Sequence, residues 1–328
     1  MRFWAKPVWL GICLWVFLAV LLIAPLAAQD DPPPDTGGGM DPITTPAPLP
    51  TRQPRPAVFA IASDDRAALQ FFFQAIPQGQ TRLARVVGSD IASVRARWMN
   101  GLIDFFPMDD GFYGLLAAGM EARTGRTHEL AVFVTFNDGT RTTLTTQVEV
   151  VLGGFITQNV IIPPDRGYLL DIETERNELA RLESLIMQVT PERYWDETGF
   201  QMPIMAALTS PFGAFRSFNG VLFTRHTGWD IRTTLGVPVM ASASGVVAYT
   251  GRLEIRGNYV LIDHGYGVYS GYAHFGTTHV TRGQRVAKGE VLGTSGDTGR
   301  TSGPHFHWET AVNGYWVDSV QLLQLWMP

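Results

Sequence analysis

The sequence predicts a mainly β protein: an immunoglobulin-like β-sandwich, a connecting α-helix, then a compact antiparallel β domain. Three observations carry that expectation. Residues 130–136 and 143–150 are β-rich runs on either side of Asn137-Asp138-Gly139, a strong hairpin signal. Ile172, Leu179, Leu182, Ile186 and Val189 fall at helical spacing with Glu and Arg between them, and Pro191 ends that run. From about Phe200 onward, short apolar runs separated by glycine return to a strand period.

Taken in order, the first element is not part of a soluble core. Arg2 and Lys6 precede an apolar run at residues 8–24, followed by small residues to Ala28. This is the pattern of a signal peptide cleaved after Ala28, or else of an uncleaved N-terminal anchor over residues 1–28. Either reading exports the rest of the chain. Cys13, the single cysteine, lies inside this run, so an internal disulfide is excluded and stability must come from packing or metal.

Residues 29–56 read as a linker, with Pro32-Pro33-Pro34, Gly37-Gly38-Gly39 and further prolines to Pro56. Such a composition builds no core and makes an extended, partly stiff tether. Runs at 69–76 and 93–99, spaced by turn residues, join the hairpin in the sandwich expected over 57–165. No residue cluster there suggests chemistry, and His128 stands alone as a surface or hydrogen-bonding histidine. Residues 166–199 form the helical connector. The C-terminal unit, 200–328, has strand runs at 237–243, 245–250, 258–263, 268–274, 286–293 and 305–310, closed by 316–325.

The chain is 45% apolar and 17% charged, as a folded protein of 328 residues should be. Loss of residues 1–28 would take the net charge from −5 to −7. Residues 201–328 hold nine Lys and Arg against seven Asp and Glu, a net of +2, which leaves −9 on residues 29–200. A mildly basic unit suits an anionic envelope polymer, but the excess is too small for nucleic-acid binding. The same asymmetry suggests that the acidic upstream segment positions or shields a groove in the basic unit.

The candidate chemistry sits in two motifs, His226-Thr227-Gly228-Trp229-Asp230 and His305-Phe306-His307. His305 and His307 share one face of a strand, and His226 and Asp230 share a face in either local structure, with Gly228 letting the backbone bend. His274, in Gly271-Tyr272-Ala273-His274-Phe275, could reach the same pocket. Two imidazoles and a carboxylate are what a hydrolytic zinc ion takes from a protein, its fourth position left for water. His264 reads as a supporting or structural group. His279 reads as solvent-facing. Trp229, Phe275, Trp308 and Tyr315 could wall a substrate groove.

From Ser210 to Asp318 the residues resemble a known family. Ser210-Pro211-Phe212-Gly213 with Arg216 comes first, then the His226–Asp230 motif, then Val237-Pro238-Val239-Met240-Ala241 with Gly245-Val246-Val247. Val260-Leu261-Ile262-Asp263-His264-Gly265 and Tyr272-Ala273-His274 follow, then Gly283-Gln284-Arg285-Val286 with Lys288-Gly289, and Gly296-Asp297-Thr298-Gly299. The series ends in Ser302-Gly303-Pro304-His305-Phe306-His307-Trp308-Glu309. These residues resemble the lysostaphin or LytM type of zinc metallopeptidase, which cuts peptide cross-links in bacterial peptidoglycan.

The resemblance implies a LytM-type catalytic domain in which His226, Asp230 and His307 ligate one Zn2+ and His274 and His305 are the unligated catalytic pair. Three ligands leave the ion able to activate a water; one free imidazole can then accept its proton while the other stabilises the oxyanion or protonates the leaving amine. Which of the two is the base stays open. The expected partner is the cross-link peptide of the wall, with no nucleic acid and no membrane beyond the N-terminal segment if it is not cleaved. Two other readings remain: a catalytically inactive relative that binds the wall or activates another hydrolase, and a zinc hydrolase acting on proteins outside the wall. The first generally lacks a ligand, and here all five positions are filled.

Overall fold

In the computed structural model, residues 50–328 are described, with the exception of Asn100. The apolar run at 8–24, the cleavage point after Ala28 and nearly all of the linker lie outside the described residues. No helix among the described residues is long and apolar enough to cross a membrane.

Ten strands come first: β1 (Ala60–Ser63), β2 (Ala67–Phe71), β3 (Ala75–Pro77), β4 (Thr81–Gly88), β5 (Ile91–Trp98), β6 (Gly101–Asp104), β7 (Phe106–Met108), β8 (Gly111–Ala117), β9 (Arg126–Phe136) and β10 (Arg141–Val151). They form two sheets, ordered β1-β2-β4-β8-β7 and β3-β10-β9-β5-β6. The hairpin read from Asn137-Asp138-Gly139 joins β9 to β10. Its turn is set by Gly139 at φ 81° and by Asp138, whose carboxylate accepts from the Thr140 N–H at 2.9 Å. Leu69, Val86 and Leu116 of one sheet pack in the same buried cluster as Val94, Val132 and Leu144 of the other. The unit is therefore a two-sheet sandwich with its core between the sheets.

A short strand, β11 (Thr157–Val160), a 3₁₀ helix (Pro164–Leu170) and α1 (Ile172–Ile186) follow. Asp171 caps α1, accepting from the Thr174 N–H at 2.8 Å. The buried stripe of α1 is Glu175, Glu178, Leu182 and Ile186. Its first half is thus carboxylate rather than the apolar Ile172 that the spacing pointed to; Ile172 is exposed.

The remaining strands are β12 (Leu208–Ser210), β13 (Phe215–Phe218), β14 (Leu222–Arg225), β15 (Gly228–Arg232), β16 (Pro238–Met240), β17 (Gly245–Leu253), β18 (Gly257–Gly265), β19 (Val268–Thr278), β20 (Arg285–Val286), β21 (Val291–Ser295), β22 (His305–Val312) and β23 (Tyr315–Val317), before α2 (Ser319–Gln324). Most join one large sheet whose path is β12-β15-β22-β19-β18-β17-β20. Strand alternation divides its two faces. Val260, Ile262, Tyr272, Phe306 and Trp308 pack on one side. Tyr259, Leu261, Ala273 and Ala311 pack on the other, together with Leu182 and Ile186 of α1. In the chain, β11 lies upstream of α1, yet it pairs in parallel with β13, so β11, β13 and β14 form a small second sheet.

The described residues, from Pro50 onward, belong to one compact unit. Sandwich and C-terminal strands meet in an apolar cluster of Phe106, Tyr113 and Leu115 with Trp195, Phe200, Val268, Val312 and Leu322. Phe106 meets Trp195 edge-on, with ring centroids 5.5 Å apart. Burial of such side chains contributes about 1.5–3 kcal/mol each, so apolar contact is what joins the two parts, whatever their difference in net charge.

Candidate metal centre and active site

Asp230 of β15 lies directly opposite His307 of β22, and Arg232 opposite His305. Alternation along β22 puts His305, His307, Glu309 and Ala311 on the face that α1 covers. His226 stands just before β15 and is fixed by two main-chain bonds, Gly213 N–H to its carbonyl at 2.7 Å and its own N–H to Ala214 O at 2.9 Å. Three atoms then converge. His226 Nε2 is 3.1 Å from Asp230 Oδ1 and 3.0 Å from His307 Nδ1, and the last two are 3.0 Å apart.

The outer atoms decide what the inner ones can do. The Nδ1–H of His226 donates to Pro211 O at 2.7 Å, and the Nε2–H of His307 donates to the Glu309 carboxylate at 3.1 Å. Both partners only accept, so the inward nitrogens are left with lone pairs. Asp230 gives its other oxygen to Arg216. Three electron-rich atoms about 3 Å apart repel unless positive charge lies among them. Burial pushes His226 down to about 4. Burial also opposes the charge on Asp230, but His226 and Arg216 hold its carboxyl well below the usual range. For His307 burial is outweighed by the hydrogen bonds to Asp230 and Glu309, which raise its affinity for a proton. The donor set thus fits a metal cation bound by His226, Asp230 and His307.

The other two histidines flank this trio. His274 and His305 meet edge-on, ring centroids 4.8 Å apart, and His305 Nε2 is 3.6 Å from Asp230 Oδ1. Each ties its Nδ1–H to a carbonyl, His274 to Thr298 O at 2.7 Å and His305 to Gly303 O at 2.9 Å. Nε2 is the free atom of both. His274 holds φ at 60°, left-handed backbone that a non-glycine residue seldom adopts. The pairing of β18 with β19 slips between Asn258 and Val260, a bulge that turns His274 out of the regular alternation. Burial, with His305 and His307 nearby, holds the His274 imidazole well below its ordinary pKa.

Glu309 is fully buried and accepts from His307, from the Nε and Nη2 of Arg256 at 2.7 and 3.0 Å, from Tyr259 Oη at 2.6 Å and from Thr227 Oγ1 at 2.6 Å. Its register neighbours on both sides are glycines, Gly228 and Gly271. A Cβ on Gly228 would strike the Trp308 carbonyl, and one on Gly271 would strike the Tyr259 hydroxyl. Gly228 is required by this close approach rather than by a bend.

All five histidine and aspartate side chains line a cleft of about 700 Å³. One wall is residues 158–162, which belong to β11 and the chain after it; another is residues 300–304. The expected aromatic walls are elsewhere. Phe275 and Trp308 are buried under the far face of the sheet, Trp229 donates to Asp318 Oδ1 at 2.7 Å, and Tyr315 packs at the contact with the sandwich. His264 is buried between Ser244 O at 2.8 Å and Ser270 Oγ at 2.7 Å and does not line the cleft. His279 is exposed, and His128 bonds Arg123 O. Nothing in the sequence pattern points to a role for Glu178, Arg256, Glu309 or Thr298; buried charge in the stripe of α1 is a signal that apolar periodicity does not count.

Residues 224–319 match peptidase family M23. Over 121 residues the chain is 41% identical to the DD-carboxypeptidase/endopeptidase Mpg of Neisseria meningitidis, a match covering 36% of this chain and 27% of that one. Over 96 residues it is 41% identical to the peptidoglycan DD-endopeptidase ShyA of Vibrio cholerae, covering 29% of this chain and 22% of that one. The chain therefore spans well under half of these curated relatives. A candidate M23 peptidase from Pseudomonas aeruginosa superposes with a TM-score of 0.57 at 23% identity, over 76% of this chain and 95% of that one. That share exceeds residues 224–319, so the common fold includes elements upstream of them.

Proposed function

With a domain of peptidase family M23 at residues 224–319, the chain, we propose, is a zinc metalloendopeptidase that hydrolyses peptide cross-links of bacterial peptidoglycan. The observation that carries this reading is the convergence of His226 Nε2, Asp230 Oδ1 and His307 Nδ1, with each outer nitrogen committed to an acceptor. These three atoms would hold the ion. When bound, zinc lowers the pKa of a water to about 7 and polarises the scissile carbonyl.

The chain's own groups supply the proton handling. His274, buried and with Nδ1–H fixed on Thr298 O, presents Nε2 as an acceptor and serves as the base. His305, 20% exposed at the cleft with its Nε2 free, serves as the partner that stabilises the developing oxyanion or protonates the leaving amine. Arg216 keeps Asp230 oriented by taking its second oxygen. The cleft between 158–162 and 300–304 would align an extended peptide past both imidazoles.

The substrate class is supported by Mpg, named a DD-carboxypeptidase/endopeptidase, and ShyA, named a peptidoglycan DD-endopeptidase, and a cross-link between D-residues is therefore the bond we assign. Export through residues 1–28 would bring the chain to the envelope. The strand order supports reading 57–165 as an immunoglobulin-like domain, with β2-β4-β8-β7 facing β10-β9-β5; 166–199 is then the connector and 200–328 the peptidase domain. The decisive experiment is digestion of purified sacculi and of casein by the wild type and by His307→Ala, with mass spectrometry of released muropeptides. The wild type should cut sacculi at D,D cross-links and spare casein, and the variant should neither retain zinc nor cut. Undiminished cleavage by the variant would remove the metal assignment.

A further inference from the structure

Glu178 of α1 lies outside residues 224–319, yet it touches the supports of the metal site. Its Oε1 accepts from the Arg256 main-chain N–H at 3.1 Å and from Arg256 Nη1 at 3.0 Å, and its Oε2 accepts from the Ile255 N–H at 2.7 Å. All three groups are buried. Two branches leave Arg256. Its guanidinium grips both oxygens of Glu309, whose Oε2 receives the Nε2–H of His307. Its carbonyl accepts the His274 N–H at 2.9 Å, at the residue held with φ 60°.

We infer that Glu178 is a positioning residue for both the metal ligand His307 and the unligated His274, and that the connector helix is thereby a working part of the site. This rests on the metal reading given above. The physical reason is charge balance. A carboxylate that accepts the outer N–H of a ligating imidazole fixes its tautomer and makes its inner nitrogen a stronger donor. Arg256 draws on that same carboxylate. Glu178 takes part of the Arg256 charge, leaving Glu309 more of its own for His307. Neutralising Glu178 turns Arg256 wholly toward Glu309, and the inner nitrogen of His307 becomes a poorer ligand. The main-chain bonds matter as well, because the 255–256 segment would loosen and with it the acceptor that holds the His274 N–H.

The test is the zinc dissociation constant of the full chain, measured by competition with a chromophoric chelator at 25 °C, for wild type, Glu178→Gln and Glu173→Gln. Glu173 is an exposed residue of the same helix, paired among the described residues with Arg176, and is the control. Glu178→Gln should bind zinc about tenfold more weakly, the lower end of what outer partners of a ligand contribute, with an unchanged far-UV spectrum. Glu173→Gln should bind as wild type. A merely structural role would lower the melting temperature and leave the dissociation constant alone; that result overturns the inference. If Glu178→Gln does not fold, the same constant is measured for Glu178→Asp, which keeps the charge but is too short to reach all three donors; weaker zinc binding upholds the inference and an unchanged constant overturns it. A wild type that binds no zinc brings down the metal reading and this inference together, whereas equal binding by wild type and variant brings down this inference alone.

Discussion

His274 combines a free Nε2, burial, a left-handed backbone whose N–H is held by the Arg256 carbonyl, and a ring held by the Thr298 carbonyl. Such strain persists only where the surroundings enforce it. His274→Ala and His305→Ala should each lower sacculus cleavage by about 10²–10⁴-fold, the usual contribution of a positioned proton-transfer group. Each should keep one zinc per chain by elemental analysis; loss of the metal would show that the residue ligates it instead. His264 gives a different expectation. Burial holds it down to about 4 from an ordinary 6.5. The unfolded chain takes up this proton below pH 6.5 and the folded chain refuses it until about pH 4. Stability therefore falls as pH drops through that window, by at most roughly 3 kcal/mol at 1.36 kcal/mol per unit. Urea midpoints at pH 7.5, 5.5 and 4.5 should show a shallower decline for His264→Gln than for wild type, and equal slopes would dismiss the assignment.

Among the elements, the 3₁₀ helix reaches furthest into the chemistry. Arg166 bonds the Asp297 carbonyl at 2.8 Å, the Asp297 carboxylate at 3.0 Å and the Thr301 hydroxyl. It thereby clamps the loop whose Thr298 carbonyl orients His274. Glu175 of α1 pairs with Arg300 in the same loop. Arg166→Gln should cut kcat by about 10- to 100-fold through misplacement of that imidazole, with zinc affinity as in wild type; a loss confined to KM would place Arg166 in substrate binding instead. These contacts mark the limit of the sequence reading. The hairpin at Asn137-Asp138-Gly139 and the pairing of His305 with His307 were legible because each is local, a turn or an alternation. Strands β12 to β15, three to five residues each, are too short and too broken by Pro211, Gly213 and Gly220 to register a period. Glu175 and Glu178 looked like the solvent face of an amphipathic helix, since only the distant Arg300 and Arg256 make them internal.

At the scale of the whole molecule, the sandwich and the C-terminal strands share a core instead of being two bodies on a hinge. Phe106, Trp195, Phe200, Val268 and Val312 would all be bared by separation. Thermal unfolding should be a single calorimetric transition, and Phe106→Ala, which removes a ring from that shared cluster, should destabilise it by about 3–5 kcal/mol. Two resolved transitions would show independent domains. Net charges of −9 and +2 could not foretell this join, because it is built from side chains that carry none.

The parallel pairing of β11 with β13 has a practical consequence for protein engineering. A module exchange cut at the family boundaries, residues 224 and 319, would transplant His226, Asp230 and His307 together with His274 and His305. It would leave behind β11, β13 with Arg216, and the wall at 158–162 that faces them across the cleft. A hybrid enzyme with an intact groove needs its junction ahead of Thr157, in the stretch after β10, so that the donor brings its own wall along with its histidines.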